Sequence, residues 1–270
     1  MSSVKRVSVV TVCFNAAHTI AETLASVAAQ RGVEVEHIVI DGGSSDDTMA
    51  IVTRFPHMAI VVSEPDKGLY DAMNKGLDRA TGDLVGFLNA DDFLSEPDAL
   101  AAIARAGEDA DAVIAGVAMV DQDRPDRVRR YYAVRRYRPW MLSLGHMPPH
   151  PTFYARPSML REVGRFDDSF RIAGDFDLIL RLFCAGPLRL ARVDRALVGF
   201  RHGGVSTQGL KAKATLTNEV ARSLASAGYR APKLRSFARY LLKLPQYLRR
   251  PAQYRGRGLI AKVGSDVHGH

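Results

Sequence analysis

Cysteine and tryptophan are scarce in this 270-residue chain, with two of the first and one of the second. Cys13 and Cys184 sit singly in apolar runs, without metal-ligand spacing or a disulfide pattern. They read as buried thiols of a reducing compartment. No stretch of about 18 uncharged residues occurs, which argues against a membrane-spanning helix, and the first residues lack the apolar h-region of a signal peptide. The cytoplasm is the expected location. Low-complexity linkers and internal repeats are also missing, so one large domain with an appendage is expected.

Acidic residues become rare along the chain. Residues 1–123 hold 8 Lys/Arg against 20 Asp/Glu, residues 124–229 hold 19 against 8, and residues 230–270 hold 10 against 1. The net charge of +8 therefore belongs to the second half and the tail. An acidic first half counts against a nucleic-acid protein with a uniform basic face, although Tyr131, Tyr132 and Tyr137 among arginines offer stacking surfaces for that alternative.

The first half alternates. Val7–Val12 is an apolar, β-branched run suited to a strand covered on both faces. A helix follows, with Thr19-Ile20-Ala21-Glu22 as a capping box. Strands are predicted over 36–40, 58–63, 84–88 and 112–120. Helices are predicted over 46–54, 69–80 (with Gly82 as its C-cap) and from Ser95/Pro97 to 105. This order implies right-handed βαβ units and a mostly parallel sheet. Further on, 175–184 reads as a helix, 188–193 and 197–201 as two short strands, and Gly203-Gly204 as a turn.

In open α/β sheets ligands sit beyond the carboxyl ends of the strands. Those ends carry Thr11 and Asn15, then Asp41, then Glu64-Pro-Asp-Lys67, then Asn89-Ala-Asp91-Asp92. Asp46, Asp47 and Thr48 fit turn chemistry and an N-cap. Asp41 differs, because it follows an apolar strand and precedes two glycines. Asp91 and Asp92 are adjacent carboxylates that either hold Mg²⁺ or Mn²⁺ or cap a helix. Asp175, at the head of the helix predicted over 175–184, fits an N-cap. Lys67 and Arg201 could meet diphosphate oxygens or stay as solvated surface.

Four motifs in register, Val7-Ser-Val-Val-Thr-Val-Cys-Phe-Asn15, Ile40-Asp-Gly-Gly-Ser-Ser-Asp-Asp-Thr48, Ser63 to Gly76, and Gly82 to Asp92, resemble the family 2 glycosyltransferases of GT-A fold. The resemblance spans roughly residues 5–205. It implies a Rossmann-like mixed, mostly parallel sheet flanked by helices, and a nucleotide-sugar donor, with a UDP-sugar favoured. Thr11, Asn15 and Asp41 would contact base or ribose. The DxD-type motif would carry a divalent cation on Asp91, with Asp92 beside it. Asn89 stands where the first aspartate often is and would keep a ribose contact.

The second half continues the resemblance with His150-Pro-Thr-Phe-Tyr-Ala-Arg156, Phe166 to Arg181, and His202-Gly-Gly-Val-Ser-Thr207. Asp175 would be the catalytic base, with Asp177 a lesser candidate, and Gly174 replaces a glutamate common in relatives. His202 would complete the metal or diphosphate site. His150 would touch a sugar or serve structure. One base without a second nucleophilic carboxylate implies inversion at the anomeric carbon. The acceptor would be a glycan or lipid-linked molecule of envelope polysaccharide synthesis. A sugar-nucleotide nucleotidyltransferase is the competing enzyme class, but Asn15-Ala-Ala-His18 lacks the glycine-rich phosphate loop it needs.

Residues 1–225 are thus expected to form the catalytic domain, with 1–120 binding nucleotide and 121–225 serving acceptor and catalysis. Residues 226–270 form a basic helical tail. Leu234, Phe237, Leu241, Leu244 and Leu248 recur at helical spacing among Lys233, Arg235, Arg239, Lys243, Arg249 and Arg250. Residues 233–250 would lie on an anionic membrane surface at the inner face of the cell membrane, or pack on the domain.

Overall fold

The computed structural model describes residues 4–122, 124–202 and 209–243, with the backbone alone for His202, Gly209, Leu210, Tyr240, Leu241 and Lys243. The Gly203-Gly204 turn and tail residues Leu244, Leu248, Arg249 and Arg250 lie outside the described residues.

The first half runs β1 (Arg6–Cys13), α1 (Ile20–Ala28), β2 (Glu34–Asp41), α2 (Thr48–Val52), β3 (Ile60–Ser63), α3 (Leu69–Arg79) and β4 (Leu84–Phe87). β1 lies between β2 and β4 and is parallel to both, while β3 runs parallel to β2. From Val7 to Cys13 every residue of β1 is buried, as an unbroken β-branched run covered by helices requires. The carboxyl ends of these four strands therefore open on one edge.

The chain continues through β5 (Phe93–Leu94), α4 (Ala99–Gly107), β6 (Ala112–Asp121) and β7 (Val128–Tyr132). Two 3-10 helices, Pro139–Leu144 and His150–Thr152, precede β8 (Tyr154–Ala155), α5 (Pro157–Glu162), α6 (Gly174–Cys184), β9 (Leu190–His202), α7 (Gly209–Ser226) and α8 (Pro232–Lys243). The sheet order is β3-β2-β1-β4-β8-β6-β9-β5, with β7 on β6. β8 is antiparallel to both β4 and β6, so β6 and its parallel partner β9 point the same way as β4. The result is a mixed, mostly parallel sheet flanked by helices.

Several local expectations are corrected by tertiary partners. The two strands expected over 188–201 are one strand, β9, whose pairing with β6 shifts register around Gly116. Thr19 makes no side-chain cap on α1, and Glu22 pairs with Arg201 instead of closing a capping box. Gly82 is not a C-cap. α3 ends at Arg79 with Ala80 extended, and Gly82 is required because a Cβ there would stand 2.7 Å from the Ser8 amide nitrogen. Tyr132 and Tyr137 are buried, and the Tyr132 hydroxyl bonds His146 Nε2 at 2.7 Å and Met147 O at 2.8 Å. They are core side chains and offer no face to a nucleic-acid base.

The inner face of the tail helix is docked. α8 packs on α7 and on the 3-10 helix Pro139–Leu144, with Ser236 and Arg239 buried and Arg239 Nη2 donating to Thr217 Oγ1 at 2.9 Å. Among the described residues no helix is long and apolar enough to cross a membrane.

Candidate active site

The loops after β1 and β2 are clipped together by short polar side chains. Asn15 adopts a positive φ of 48°, its amide donates to Ser44 Oγ at 2.8 Å, and its Oδ1 accepts the Ser45 amide at 2.9 Å. Thr48 and Asp46 accept the amides of Ala16 and Ala17. Asp41 is fully buried at the root of this loop. It accepts the Gly43 and Ser44 amides and the hydroxyls of Ser44 (2.5 Å) and Ser63 (2.7 Å). Burial pushes its carboxyl up, yet these hydrogen bonds outweigh burial and hold it below the ordinary carboxylate value. Asp41 thus builds the loop that carries Gly42 and Gly43 to the sheet edge and, through Ser44, holds Asn15 of the neighbouring loop beside it.

Thr11 corrects the sequence reading. It is fully buried, with Oγ1 3.0 Å from His37 Nε2, and His37 Nδ1 lies 2.9 Å from His57 Nε2. Burial, with His57 adding to it, lowers His37 to about 3, so it stays neutral and holds the buried Thr11 hydroxyl in a strut beneath the loop. Lys67 is exposed at the same edge. Asp66, its neighbour, lies so close to Gly42 that a Cβ there would have to push its carboxylate aside.

At the end of β4, Asn89, Asp91 and Asp92 divide the work. Asp91 is half-buried, and burial raises its carboxyl while the nearby charges of Arg201 and His150 pull the other way. Asp92 is fully enclosed. Its Oδ1 accepts the Arg201 amide at 3.2 Å, and burial, with Asp91 adding to it, lifts its carboxyl well above the ordinary value. Asp92 Oδ2 and Asn89 Oδ1 are buried without a hydrogen-bond partner among the described residues. Arg201 is only 5% exposed. It pairs with Glu22 and donates to Asp91 O at 2.7 Å, so it braces the motif from behind and is not a free diphosphate clamp.

Across the edge stands Asp175, in the first turn of α6. Its Oδ2 lies 3.3 Å from His150 Nδ1, and His150 comes from the 3-10 helix between two prolines. Burial raises the Asp175 carboxyl, against the opposing effects of His150 and the Phe176 amide. A raised carboxylate is a better proton acceptor than a solvated one. The glycine before it has a visible cause, because a Cβ on Gly174 would stand 2.7 Å from the Tyr70 ring. Asp177, the lesser base candidate, is held by Arg181 Nε at 2.7 Å and is ruled out as a free base. His202 reaches this edge by its backbone pairing with Asp121, and its side chain lies outside the described residues.

The family model for glycosyl transferase family 2 matches residues 8–164. The chain belongs to glycosyltransferase family 2. An uncharacterized glycosyltransferase of Mycobacterium tuberculosis is 38% identical over 187 residues, covering 67% of this chain and 70% of that protein. A PGL/p-HBAD biosynthesis glycosyltransferase of Mycobacterium bovis is 31% identical over 208 residues, covering 74% and 78%. Among solved structures, Staphylococcus aureus TarS in complex with UDP superposes with a TM-score of 0.64 at 20% identity, covering 88% of this chain and 71% of that one. A Pyrobaculum calidifontis mannosyltransferase in complex with GDP-Man and Mn²⁺ gives 0.57 at 19% identity, covering 97% and 87%. The fold is thus of GT-A type, and the nucleotidyltransferase and nucleic-acid readings fall away.

One residue of this glycosyltransferase's site left no signal in the sequence. Glu219, on α7, accepts the backbone amides of Arg171, Ile172 and Ala173, each at 2.9 Å, and so fixes the loop that delivers Asp175. Its charge also contributes to raising Asp175. Glu219→Gln is expected to lower kcat by about 10–100-fold through misplacement of the base, with donor KM unchanged and the acid limb of the pH profile moved to lower pH. An unaltered kcat and pH limb would show the clamp to be irrelevant to catalysis.

Proposed function

We propose that this glycosyltransferase moves a sugar from a UDP-sugar to a glycan or lipid-linked acceptor of envelope polysaccharide synthesis, with inversion and with a divalent cation. The observation that carries this reading is the 3.3 Å His150–Asp175 pair standing within electrostatic reach of Asp91, at the open edge of the parallel strands. Residues 1–225 would be the catalytic unit and 226–270 its tail, working on the cytoplasmic side of the membrane.

The residues at β4 fit a hard cation. Asn89 and Asp92 each aim an unpartnered buried oxygen, and burial disfavours the charge of both Asp91 and Asp92 unless a positive group compensates it. Asp91, the partly open carboxylate, would hold Mg²⁺ or Mn²⁺, with Asp92 supporting it and His202 a further ligand. The cation would neutralise charge on the leaving diphosphate. Asn15 and the Asp41 loop would seat the nucleoside, Asn89 the ribose and Lys67 the outer phosphates.

Asp175 then takes the proton of the acceptor hydroxyl as its oxygen forms the bond to the anomeric carbon and the nucleoside diphosphate leaves from the opposite face. His150 keeps the carboxylate oriented. One displacement by one base gives the inverted product. In support, TarS is described with UDP and with UDP-GlcNAc, and another relative is named for succinoglycan biosynthesis.

A thermal-shift panel of nucleotide sugars with and without Mn²⁺ tests the donor. One UDP-sugar should raise Tm by several degrees at about 100 times its Kd, and more with the metal. Stabilisation by no nucleotide sugar under either condition would contradict the reading.

A further inference from the structure

Two sequence-distant elements meet on a surface that the catalytic reading does not use. The 3-10 helix Pro139–Leu144 and α8 pack together, with Gly145 against Ser236 and Arg235 Nη1 donating to Ser143 O at 3.3 Å. These two elements carry three of the exposed large apolar side chains: Trp140 (56% exposed), Leu234 (73%) and Phe237 (58%). A depression of about 550 Å³ lies between them, lined by the apolar Leu144, Ala231, Leu234, Phe237 and Ala238 together with Arg230 and Arg235. Exposed apolar groups gathered in this way on a soluble surface mark a binding role.

The charge around the patch is of one sign. The sequence holds no Asp or Glu between Asp126 and Glu162, and none between Glu219 and Asp266. Arg135, Arg136 and Arg138 are exposed just before Trp140, Arg230 and Lys233 are exposed beside Leu234, and none of the five forms an ion pair among the described residues. Arg127 and Arg129, a few residues earlier in the chain, both pair with Asp121. An apolar centre whose basic rim pairs with no carboxylate among the described residues is the complement of an anionic lipid leaflet.

We infer that Trp140, Leu234 and Phe237, rimmed by these arginines and Lys233, form a docking surface for an anionic bilayer. Two contact elements fixed to each other present a rigid insertion surface, where a tail helix alone would present a tether. The surface also lies near the chemistry. Leu144 and His150 are six residues apart, which the chain spans in at most about 20 Å. Docking would hold the sheet edge close to the headgroup layer, where a lipid-linked acceptor carries its hydroxyl. The inference deepens the proposal of such an acceptor, and it can be tested without any transfer assay.

Trp140 is the sole tryptophan, so its emission reports this surface alone. The full-length protein, without donor, is mixed with vesicles of phosphatidylcholine alone or of phosphatidylcholine with phosphatidylglycerol. Sedimentation and fluorescence are then read together. Co-sedimentation with the anionic vesicles only, with a blue-shifted emission protected from acrylamide, is expected. Arg135→Glu, Arg136→Glu and Lys233→Glu combined should weaken partitioning by at least about a hundredfold, since each basic group near the leaflet contributes about fivefold and reversal adds repulsion. Leu234→Ser with Phe237→Ser should keep the charge and weaken partitioning at least about tenfold, as loss of two buried apolar side chains requires.

Each variant must keep the wild-type Tm and its stabilisation by nucleotide sugar, which separates failure of this inference from failure of the catalytic reading. Unchanged Trp140 emission on pelleting would overturn the inference, as would equal binding to uncharged vesicles. So would retention on duplex DNA instead of vesicles, or a solution dimer or the chain's own residues 244–270 already shielding Trp140.

Discussion

Asp175→Asn is expected to lower sugar transfer by about 10²–10⁴-fold, the usual contribution of a positioned general base, while leaving the fold and donor affinity intact. Asparagine is nearly isosteric and can still accept the Phe176 amide through Oδ1, a bond of 2.7 Å in the wild type. What it cannot do is take the acceptor proton. In the wild type the rate should rise with pH as Asp175 ionises. Because burial lifts its carboxyl, that rise should fall above the ordinary carboxylate range. His150→Ala should displace this limb, since His150 opposes the upward shift. Retention of activity within about threefold in Asp175→Asn, measured as nucleoside diphosphate release in the presence of acceptor, would remove Asp175 from the mechanism.

Asp91→Ala is the second large effect. It should lower transfer by about 10³-fold or more, because it removes the partly open carboxylate proposed to hold the cation against the leaving diphosphate. The extra thermal stabilisation that Mn²⁺ gives in the presence of donor should vanish with it, while stabilisation by nucleoside alone persists. Asp92 cannot replace it from where it stands, fully enclosed with Oδ1 on the Arg201 amide. If Mn²⁺-dependent stabilisation survives in Asp91→Ala, the cation is held elsewhere.

What could be seen in the sequence was set by range. β1 to β4 were legible because burial of a parallel strand on both faces leaves an apolar run, and because the polar residues after each run mark the strand ends. Asp91 stood out for the same reason, just past the end of β4, whereas Asp175 was legible only through the family resemblance, since by itself it reads as a helix N-cap. The misreadings came where a long-range partner outcompeted a local motif. Glu22 sits in a good capping box, yet Arg201, 179 residues away, takes its carboxylate. Thr11 ends a strand as a ligand-binding residue would, but the buried His37 claims its hydroxyl.

Glu219 was invisible for a related cause. A glutamate in the middle of an amphipathic helix looks like solvated surface, and only the packing of α7 beside α6 turns it toward three amides. Trp140 likewise acquires meaning only when α8 is laid on its 3-10 helix. The basic, apolar periodicity of the tail was legible, but its inner face is closed by Ser236 and Arg239. The outer face shares its surface with a segment about 90 residues earlier in the chain.

The most direct test of the central claim is a structure of the protein with its stabilising UDP-sugar and Mn²⁺. The account predicts the nucleoside at the Asn15 and Asp41 loops, the cation on Asp91, and the anomeric carbon facing the His150–Asp175 pair. A donor bound away from the carboxyl ends of β1, β2 and β4, or an anomeric carbon turned from Asp175, would contradict it.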